Sequence, residues 1–453
     1  MAGIAGIARS GERGLVERML DKMAHRGSAG RQVVEFENAT LGLAWPAAQS
    51  DLAEALAGER AARDQVLGTR LAEARATPQG LVLRRDRLGV APLYYGHDAA
   101  GALCLASEVK ALLRATRDVQ ELSPGHVYDG TGLTSYAPLV QPPPLTASPA
   151  QIARELRRRL AAAVAARLRD GAVGGWLSGG LDSSALAALA RPHVRQLHTF
   201  AAGLPGAPDL EFARMVADFV GTTHHEVVVR PRDLLGALPD TIYYLGSFDT
   251  LLVRSSITNY LVAGKAAEYV PAVLSGEGGD ELFAGYGYLK ALDPAELSTE
   301  LLDITGRLHN TALQRVDRCA AAHGLVAYVP FLDPQVVDYA LRIPVGLKLR
   351  DGVEKWILRQ ALAGLLPERV LYRPKAKFWA GAGVGEILAD YAETLFTDQA
   401  FRRGRKLPNG WVLNSKEELL YYGFFRERFG ELENLSWMGR TKGAPGAARR
   451  GAL

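Results

Sequence analysis

The sequence predicts an α/β protein built on a doubly wound parallel sheet, with a helical continuation toward the C-terminus and a separate strand-bearing N-terminal domain. Three observations carry that expectation. From Ala172 onward, short apolar runs of β type alternate with helical stretches, the pattern of a parallel sheet covered on both faces. Two of these runs, Ala172 to Leu177 and Val270 to Leu274, lead into the glycine-rich stretches Ser178-Gly179-Gly180-Leu181-Asp182-Ser183-Ser184 and Ser275-Gly276-Glu277-Gly278-Gly279-Asp280-Glu281. Ligands of such sheets lie beyond the carboxyl ends of the strands, where both stretches fall. Finally, Gln141-Pro142-Pro143-Pro144-Leu145-Thr146-Ala147-Ser148-Pro149 is stiff and extended by composition, and it divides a chain of 453 residues that exceeds the usual size of one core.

The elements follow in order. Alternating apolar positions at Leu81 to Leu83 and Leu103 to Leu105 suit strands of a packed sheet, whereas the Ala- and Arg-rich stretch Gln49 to Gln79 reads as one or two helices. Beyond the linker, Ile152, Leu156, Leu160 and Val164 recur at helical spacing and lead into the first core strand. Phe212 to Val220 is a crossover helix and Glu226 to Val229 a strand. From about Pro294 helices dominate, with Val336 to Arg342, Val353 to Ala363 and Glu386 to Phe396 as candidates. Arg440 to Leu453 is Gly-, Ala- and Arg-rich and is expected to be disordered. The expected divisions are 1–140, the linker 141–150, a main domain over 151–436 and a flexible tail over 437–453.

Composition narrows the function classes. Hydrophobic residues at 48% and charged residues at 23% are ordinary for a soluble globular protein. A formal net charge of +4 is too small for this length to argue for nucleic acid. The Arg-rich stretch Arg154 to Arg169 reads as the wet face of an amphipathic helix. Two cysteines, Cys104 and Cys319, give neither a disulfide framework nor a zinc site. Met1 to Ser10 lacks the pattern of a secretory leader, and no apolar run approaches the ~20 residues of a membrane span. A cytoplasmic protein is expected.

The first glycine stretch has a chemical reading of its own. Strand, loop and helix bring loop amides and the first helical turn to one spot, and the helix dipole makes that spot attractive to a polyphosphate. Gly179 and Gly180 allow close approach of the backbone, Ser178, Ser183 and Ser184 add hydroxyls, and Asp182 is suited to magnesium. No Walker lysine follows, which disfavours a P-loop kinase or GTPase.

Ser-Gly-Gly-Leu-Asp-Ser-Ser resembles the PP-loop of ATP pyrophosphatases, which cleave ATP between the α- and β-phosphates and leave an adenylate. With the second glycine stretch, with Leu197 to Gly206 and with Val329-Pro330-Phe331-Leu332-Asp333, the region from about Gln151 to Gly385 resembles the synthetase domain of class B, glutamine-hydrolysing asparagine synthetases. The resemblance implies ATP and Mg2+ as cofactors. It places Leu177, Ala202, Ser275 and Gly276 around the nucleoside, Ser178 to Ser184 on the leaving phosphates, and Asp182 and Asp280 on the metal. It makes Glu277 the group that steers or deprotonates the incoming amine, and Lys375 the cation on the α-phosphate. Lys355 and Arg359 would add positive charge toward pyrophosphate, while Asp249 and Arg254 would lie on the substrate side. A glutamate at 277, where related β-lactam synthetases carry tyrosine, favours asparagine-synthetase-like chemistry. His224-His225 invites no metal, because neighbours in a strand face opposite sides.

The N-terminal region resembles an N-terminal-nucleophile (Ntn) glutaminase in Met1 to Ile7, Arg84 to Gly96, Leu105 to Leu113 and Leu122 to His126, but Ala2 stands where the family has its nucleophilic cysteine. A methyl group neither attacks nor leaves, so the domain reads as a catalytically dead remnant. Ala24-His25-Arg26-Gly27-Ser28-Ala29-Gly30 resembles the family's glutamine-binding segment with its Pro-Asp pair replaced, and the family's Asn-Gly-Glu-Ile-Tyr-Asn segment is missing. Val326-Ala327-Tyr328 replaces a Glu-Ala-Arg triplet, which puts free aspartate in question as substrate. The expected function is AMP-forming amide synthesis from a small carboxylate and ammonia or an amine, without glutamine hydrolysis, nucleic acid or membrane, and with a homodimer allowed. The alternatives are a cyclase of the β-lactam or lasso-peptide type, in which the amine belongs to the substrate itself, and a non-catalytic ATP-binding scaffold.

Overall fold

The structure, a computed structural model, describes residues 1–52, 66–69, 71–168, 172–373 and 384–441. Its centre is the expected parallel sheet, five strands in the order Thr223–Val228, His198–Gly203, Val173–Trp176, Ala272–Leu274 and Val326–Tyr328. The chain enters at the middle strand, builds outward on one side and returns to build on the other. The order therefore reverses between Val173–Trp176 and Ala272–Leu274, and a crevice opens beyond the carboxyl ends of those two strands. Helix Leu181–Ala190 follows the first strand, and Pro208–Val220 and Thr250–Ala267 lie on the crossovers. Helix Pro149–Ala165 precedes the sheet, starts at a Ser148/Gln151 capping box and buries Ile152, Leu156, Leu160 and Val164.

Two antiparallel sheets form the N-terminal region. One has six strands, in the order Gly30–Glu35, Thr40–Trp45, Gly3–Ile7, Leu103–Ala106, Tyr94–His97 and Gln120–Glu121. The other has five, Leu133–Ser135, His126–Tyr128, Gly80–Arg85, Ala72–Thr77 and Val66–Gly68. Ile4, Leu41 and Leu43 of the first and Ala74 and Leu83 of the second belong to one buried apolar cluster. That cluster continues into the main sheet through Leu177, Leu186 and Leu274, so the two regions share a core.

Three expectations need correction or relocation. Gln49 to Gln79 is only in part helical where it is described: Ala47–Gln49 forms a short turn and Asp51 and Leu52 are helical, but Val66–Gly68 is a strand and so is Ala72–Thr77, paired from Ala72↔Arg85 to Thr77↔Gly80. Its alanines at 72, 74 and 76 all point inward, so period-two burial against a neighbouring strand overrides the helical preference of alanine. Val353-Glu354 opens not as helix but as a strand beside Leu349–Arg350, and the helix runs over Trp356–Leu362. Trp437 and Met438, expected in the tail, are buried, and Thr441 donates from its hydroxyl to Asp249 Oδ1 at 2.7 Å. Among the described residues no helix is long and apolar enough to cross a membrane.

Candidate active site

Strand Val173–Trp176 ends at Leu177, whose N–H donates to the Phe200 carbonyl at 2.8 Å, and the chain turns through Ser178 to Gly180 into helix Leu181–Ala190. At Gly179, φ is +67°, and a Cβ would lie 2.4 Å from Phe212 Cβ, so only glycine fits both the torsion and the packing. The Ser183 hydroxyl donates to the Gly180 carbonyl and accepts from the Ser178 N–H, each at 3.2 Å. No side chain caps the helix at Gly180, and Leu181, Asp182 and Ser183 of its first turn line a cavity of about 950 Å³. An uncapped helix start facing a cavity is the arrangement that attracts an anion.

The second glycine stretch faces the first across this cavity. Ser275, Gly276, Glu277, Asp280 and Glu281 all line it. A Cβ at Gly279 would meet Asp182 Cγ at 2.5 Å, and one at Gly285 would meet Lys355 Cε at 2.3 Å. The missing side chains give two acids and one base room to converge, and Lys355 Nζ lies 2.5 Å from Asp182 Oδ2 and 2.5 Å from Asp280 Oδ1. Lys355 itself is buried with φ at +55°, a left-handed torsion that costs a non-glycine residue ~1 kcal/mol. Its N–H donates to the Phe283 carbonyl at 3.1 Å, and its carbonyl accepts from the Arg359 N–H at 2.9 Å, which hold it there. Two carboxylates meeting at one point suit magnesium, which is commonly held by one or two carboxylates together with phosphate oxygens. Among the described residues no group of three or more His, Cys, Asp or Glu is placed for a metal, so the protein offers a pair that a ligand's own oxygens would complete.

Beside this pair Glu277 meets Arg315 of helix Ala312–Ala321, with Arg315 Nη2 2.7 Å from Glu277 Oε1. Burial works against the Arg315 cation, but the facing Glu277 carboxylate outweighs it and keeps the guanidinium charged. Glu281 is buried and accepts from the Tyr286 hydroxyl; burial, and then the charge of Asp280, push its carboxyl up to about 7. The same burial and acidic neighbours drive the Tyr286 hydroxyl well above its ordinary range.

Of the residues singled out in the sequence, Leu177, Ser178, Gly180, Asp182, Ser183, Ala202, Ser275, Gly276, Glu277, Asp280, Lys355 and Arg359 line this one cavity. Gly179 turns away against Phe212, and Ser184 is fully buried within the helix. Arg359 lines the wall but spends its donors on Glu354, with Nε 2.8 Å from the carbonyl and Nη2 3.1 Å from Oε1, and on the Leu371 carbonyl. Asp249 and Arg254 are not part of the cavity lining. Asp249 caps helix Thr250–Ala267 by accepting from the Leu252 N–H at 2.9 Å, and Arg254 forms a two-pronged pair with Glu417, Nε to Oε1 2.8 Å. Lys375 lies outside the described residues. Its neighbour Arg373 is in place, donating to the Ser178 carbonyl at 3.2 Å and pairing with Asp209. The replaced triplet Val326–Tyr328 is an edge strand of the sheet and lines no part of the cavity; Ser275 N–H donates to the Tyr328 carbonyl at 2.8 Å. The sequence reading missed Arg315, Glu281 and Arg373. The first had a signal in Gln314-Arg315-Val316-Asp317-Arg318, a run of polar and charged residues that flanks one apolar position inside a short helix.

A family model described as asparagine synthase matches residues 155–300 and 292–444, and one described as a glutamine amidotransferase domain matches residues 74–139. Asparagine synthetase B [glutamine-hydrolyzing] of Escherichia coli (strain K12) is 36% identical over 373 residues, covering 77% of this chain and 67% of that protein. Asparagine synthetase [glutamine-hydrolyzing] 2 of Lotus japonicus is 35% identical over 374 residues, 77% and 64% of the two chains. Asparagine synthetase [glutamine-hydrolyzing] of Triphysaria versicolor is 34% identical over 389 residues, again 77% and 64%. The chain thus spans about two thirds of the length of these relatives.

Proposed function

The chain belongs to the asparagine synthase family, and from that premise we propose that it is an ATP-dependent amide ligase that works without glutamine. In this reading a carboxylate oxygen attacks the α-phosphorus of ATP and pyrophosphate leaves. An amine nitrogen then attacks the acyl carbon, AMP departs and the nitrogen sheds a proton. The observation that carries the proposal is the meeting of Asp182 and Asp280, one from each glycine stretch, on Lys355 beside an uncapped helix start.

The proposed roles are these. The backbone of Ser178 and Gly180 to Ser183, with the hydroxyls of Ser178 and Ser183, would hold the leaving phosphates, while Leu177, Ala202, Ser275 and Gly276 would take the nucleoside. Asp182 and Asp280 would hold Mg2+, which when bound neutralises charge on the phosphates. Lys375 is proposed to stabilise the α-phosphate. Lys355 and Arg359 keep the positive side of the cavity, the first by pairing with the two acids. Glu277 orients the amine and takes its proton once Arg315 has turned to the carboxylate of the substrate. Arg315 thereby supplies the basic charge that Val326-Ala327-Tyr328 lacks, so aspartate or a related amino acid is the proposed acid.

Absence of glutamine hydrolysis is supported by more than Ala2. Arg26, in the segment that resembles a glutamine-binding loop, is fully buried and spends its fork on Glu108 and Asp317, and His25 lies 2.9 Å from Glu108 Oε1. That loss also favours the cyclase as the second reading, since its amine comes with the substrate. The test is a screen of acids and amines with ATP, following the nucleotide product. AMP and pyrophosphate are expected, lowered by about 10²-fold or more in Asp182→Asn and Asp280→Asn. ADP and phosphate would overturn the assignment, and loss of one water from an acid with no added amine would favour the cyclase.

A further inference from the structure

Helix Ala312–Ala321 joins a buried charge network to the half-buried Arg315–Glu277 pair at the cavity. Arg315 and Asp317 are two residues apart, about 200° around the helix axis, so one faces the cavity and the other faces the N-terminal sheets. Asp317 is gripped there by Arg26, with Nη2 to Oδ2 at 2.6 Å and Nη1 to Oδ1 at 3.2 Å. Arg26 also pairs with Glu108, which pairs in turn with Lys110, and Arg318 lies 3.1 Å from Asp317 Oδ2 and 3.8 Å from Glu108 Oε1. All five side chains are buried. Just before the helix, His309 Nδ1 lies 2.9 Å from Glu121 Oε1, and Arg85 Nη1 lies 2.7 Å from the same oxygen. The segment that presents Arg315 is therefore held on both sides of that residue by N-terminal charges. Glu277 belongs to a separate loop, so the Arg315–Glu277 distance depends on where this segment sits.

We propose that the N-terminal region is a positioning clamp for the synthetase cavity, with Arg26 acting through Asp317 to hold Arg315 against Glu277. The idea rests on the ligase reading only for its kinetic arm. A buried pair broken at one partner leaves an uncompensated charge, so losing Arg26 should loosen this helix first. Cys319 reports on it directly, being buried on the same helix, while Cys104 is buried in the N-terminal sheet and serves as the control.

The experiment labels the full chain with a thiol reagent under native conditions and measures MgATP affinity by calorimetry and aspartate-dependent pyrophosphate exchange. Arg26→Met should speed labelling of Cys319 at least about tenfold with Cys104 unchanged, while leaving the MgATP dissociation constant within about twofold. Exchange should fall roughly tenfold, and the double variant Arg26→Met/Arg315→Met should be no worse than Arg315→Met alone, since both act through one contact. Equal acceleration of both cysteines, unchanged Cys319, or losses that multiply in the double variant would overturn the clamp. If Arg26→Met does not fold, Asp317→Asn takes its place with the same criteria. If the wild type shows no aspartate-dependent exchange, the choice of aspartate fails, and Cys319 labelling decides the clamp alone.

Discussion

Replacing Lys355 by Met removes the cation between two carboxylates and leaves their volume nearly unchanged. Each oxygen lies 2.5 Å from one nitrogen, so Asp182 Oδ2 and Asp280 Oδ1 are separated by no more than twice that distance. At roughly 5 Å and an effective dielectric constant of about 20, two like charges repel by ~3 kcal/mol. The variant without nucleotide should therefore lose ~3 kcal/mol from the main domain, a fall of about 5 °C in its melting transition. Magnesium alone should reverse most of this, because a divalent cation replaces the charge that lysine supplied. The assay is thermal unfolding of wild type and Lys355→Met, each with EDTA and with millimolar Mg2+. In the wild type Mg2+ should do little, since Nζ already occupies the point where the acids meet. Equal melting of the two proteins in EDTA, or an equal magnesium shift in both, would refute the reasoning: the acids would then not be held together by this lysine.

The purified protein should release no glutamate from glutamine, and Ala2→Cys alone should not restore release, because Arg26 is committed to Glu108 and Asp317; sustained turnover in a preparation free of other glutaminases would contradict this. Glu277→Gln should retain pyrophosphate exchange while amide formation drops roughly 10²- to 10⁴-fold, whereas Lys375→Met should lose both; equal loss of exchange in the two variants would move Glu277 to the adenylation step. Glu281 predicts a pH dependence. Its carboxyl is raised to about 7 by burial, so between the ordinary glutamate range and pH 7 the folded chain holds a proton that the unfolded chain has lost. Stability should fall across that window, by up to ~3 kcal/mol in total. Melting curves from pH 5 to pH 8 should show this slope in wild type and a flatter one in Glu281→Gln, and parallel slopes would count against it.

What the sequence made legible was local. Strand, glycine loop and helix are contiguous, so Ser178 to Ser184 and Ser275 to Glu281 could be placed at the ends of parallel strands from pattern alone, and the structure lines one cavity with both. Charges that meet across long separations were not legible. Arg254 looked like a substrate group until Glu417, 163 residues further on, was found to hold it. Lys355 was assigned to pyrophosphate, yet its partner Asp182 stands 173 residues away. Alanine-rich 72–77 misled for the complementary reason: its inward alternation is uninformative when nearly every candidate core residue is a methyl group, and pairing with Gly80–Arg85 decides the strand.

The N-terminal region shows most sharply how loss and reuse differ in visibility. The proposed loss of the nucleophile rests on one letter, Ala2, and is read without any structure. Reuse requires knowing what the remaining polar groups now face. Arg26 would be costly to keep buried without partners, and both partners are distant in the chain: Glu108 lies 82 residues on, and Asp317, 291 residues on, belongs to the helix that carries Arg315. A domain kept only as inert support would be expected to meet its neighbour mainly through apolar contact. Here the contact includes a buried ionic grip on a helix of the cavity wall, which is the observation behind the proposal that this region positions the cavity.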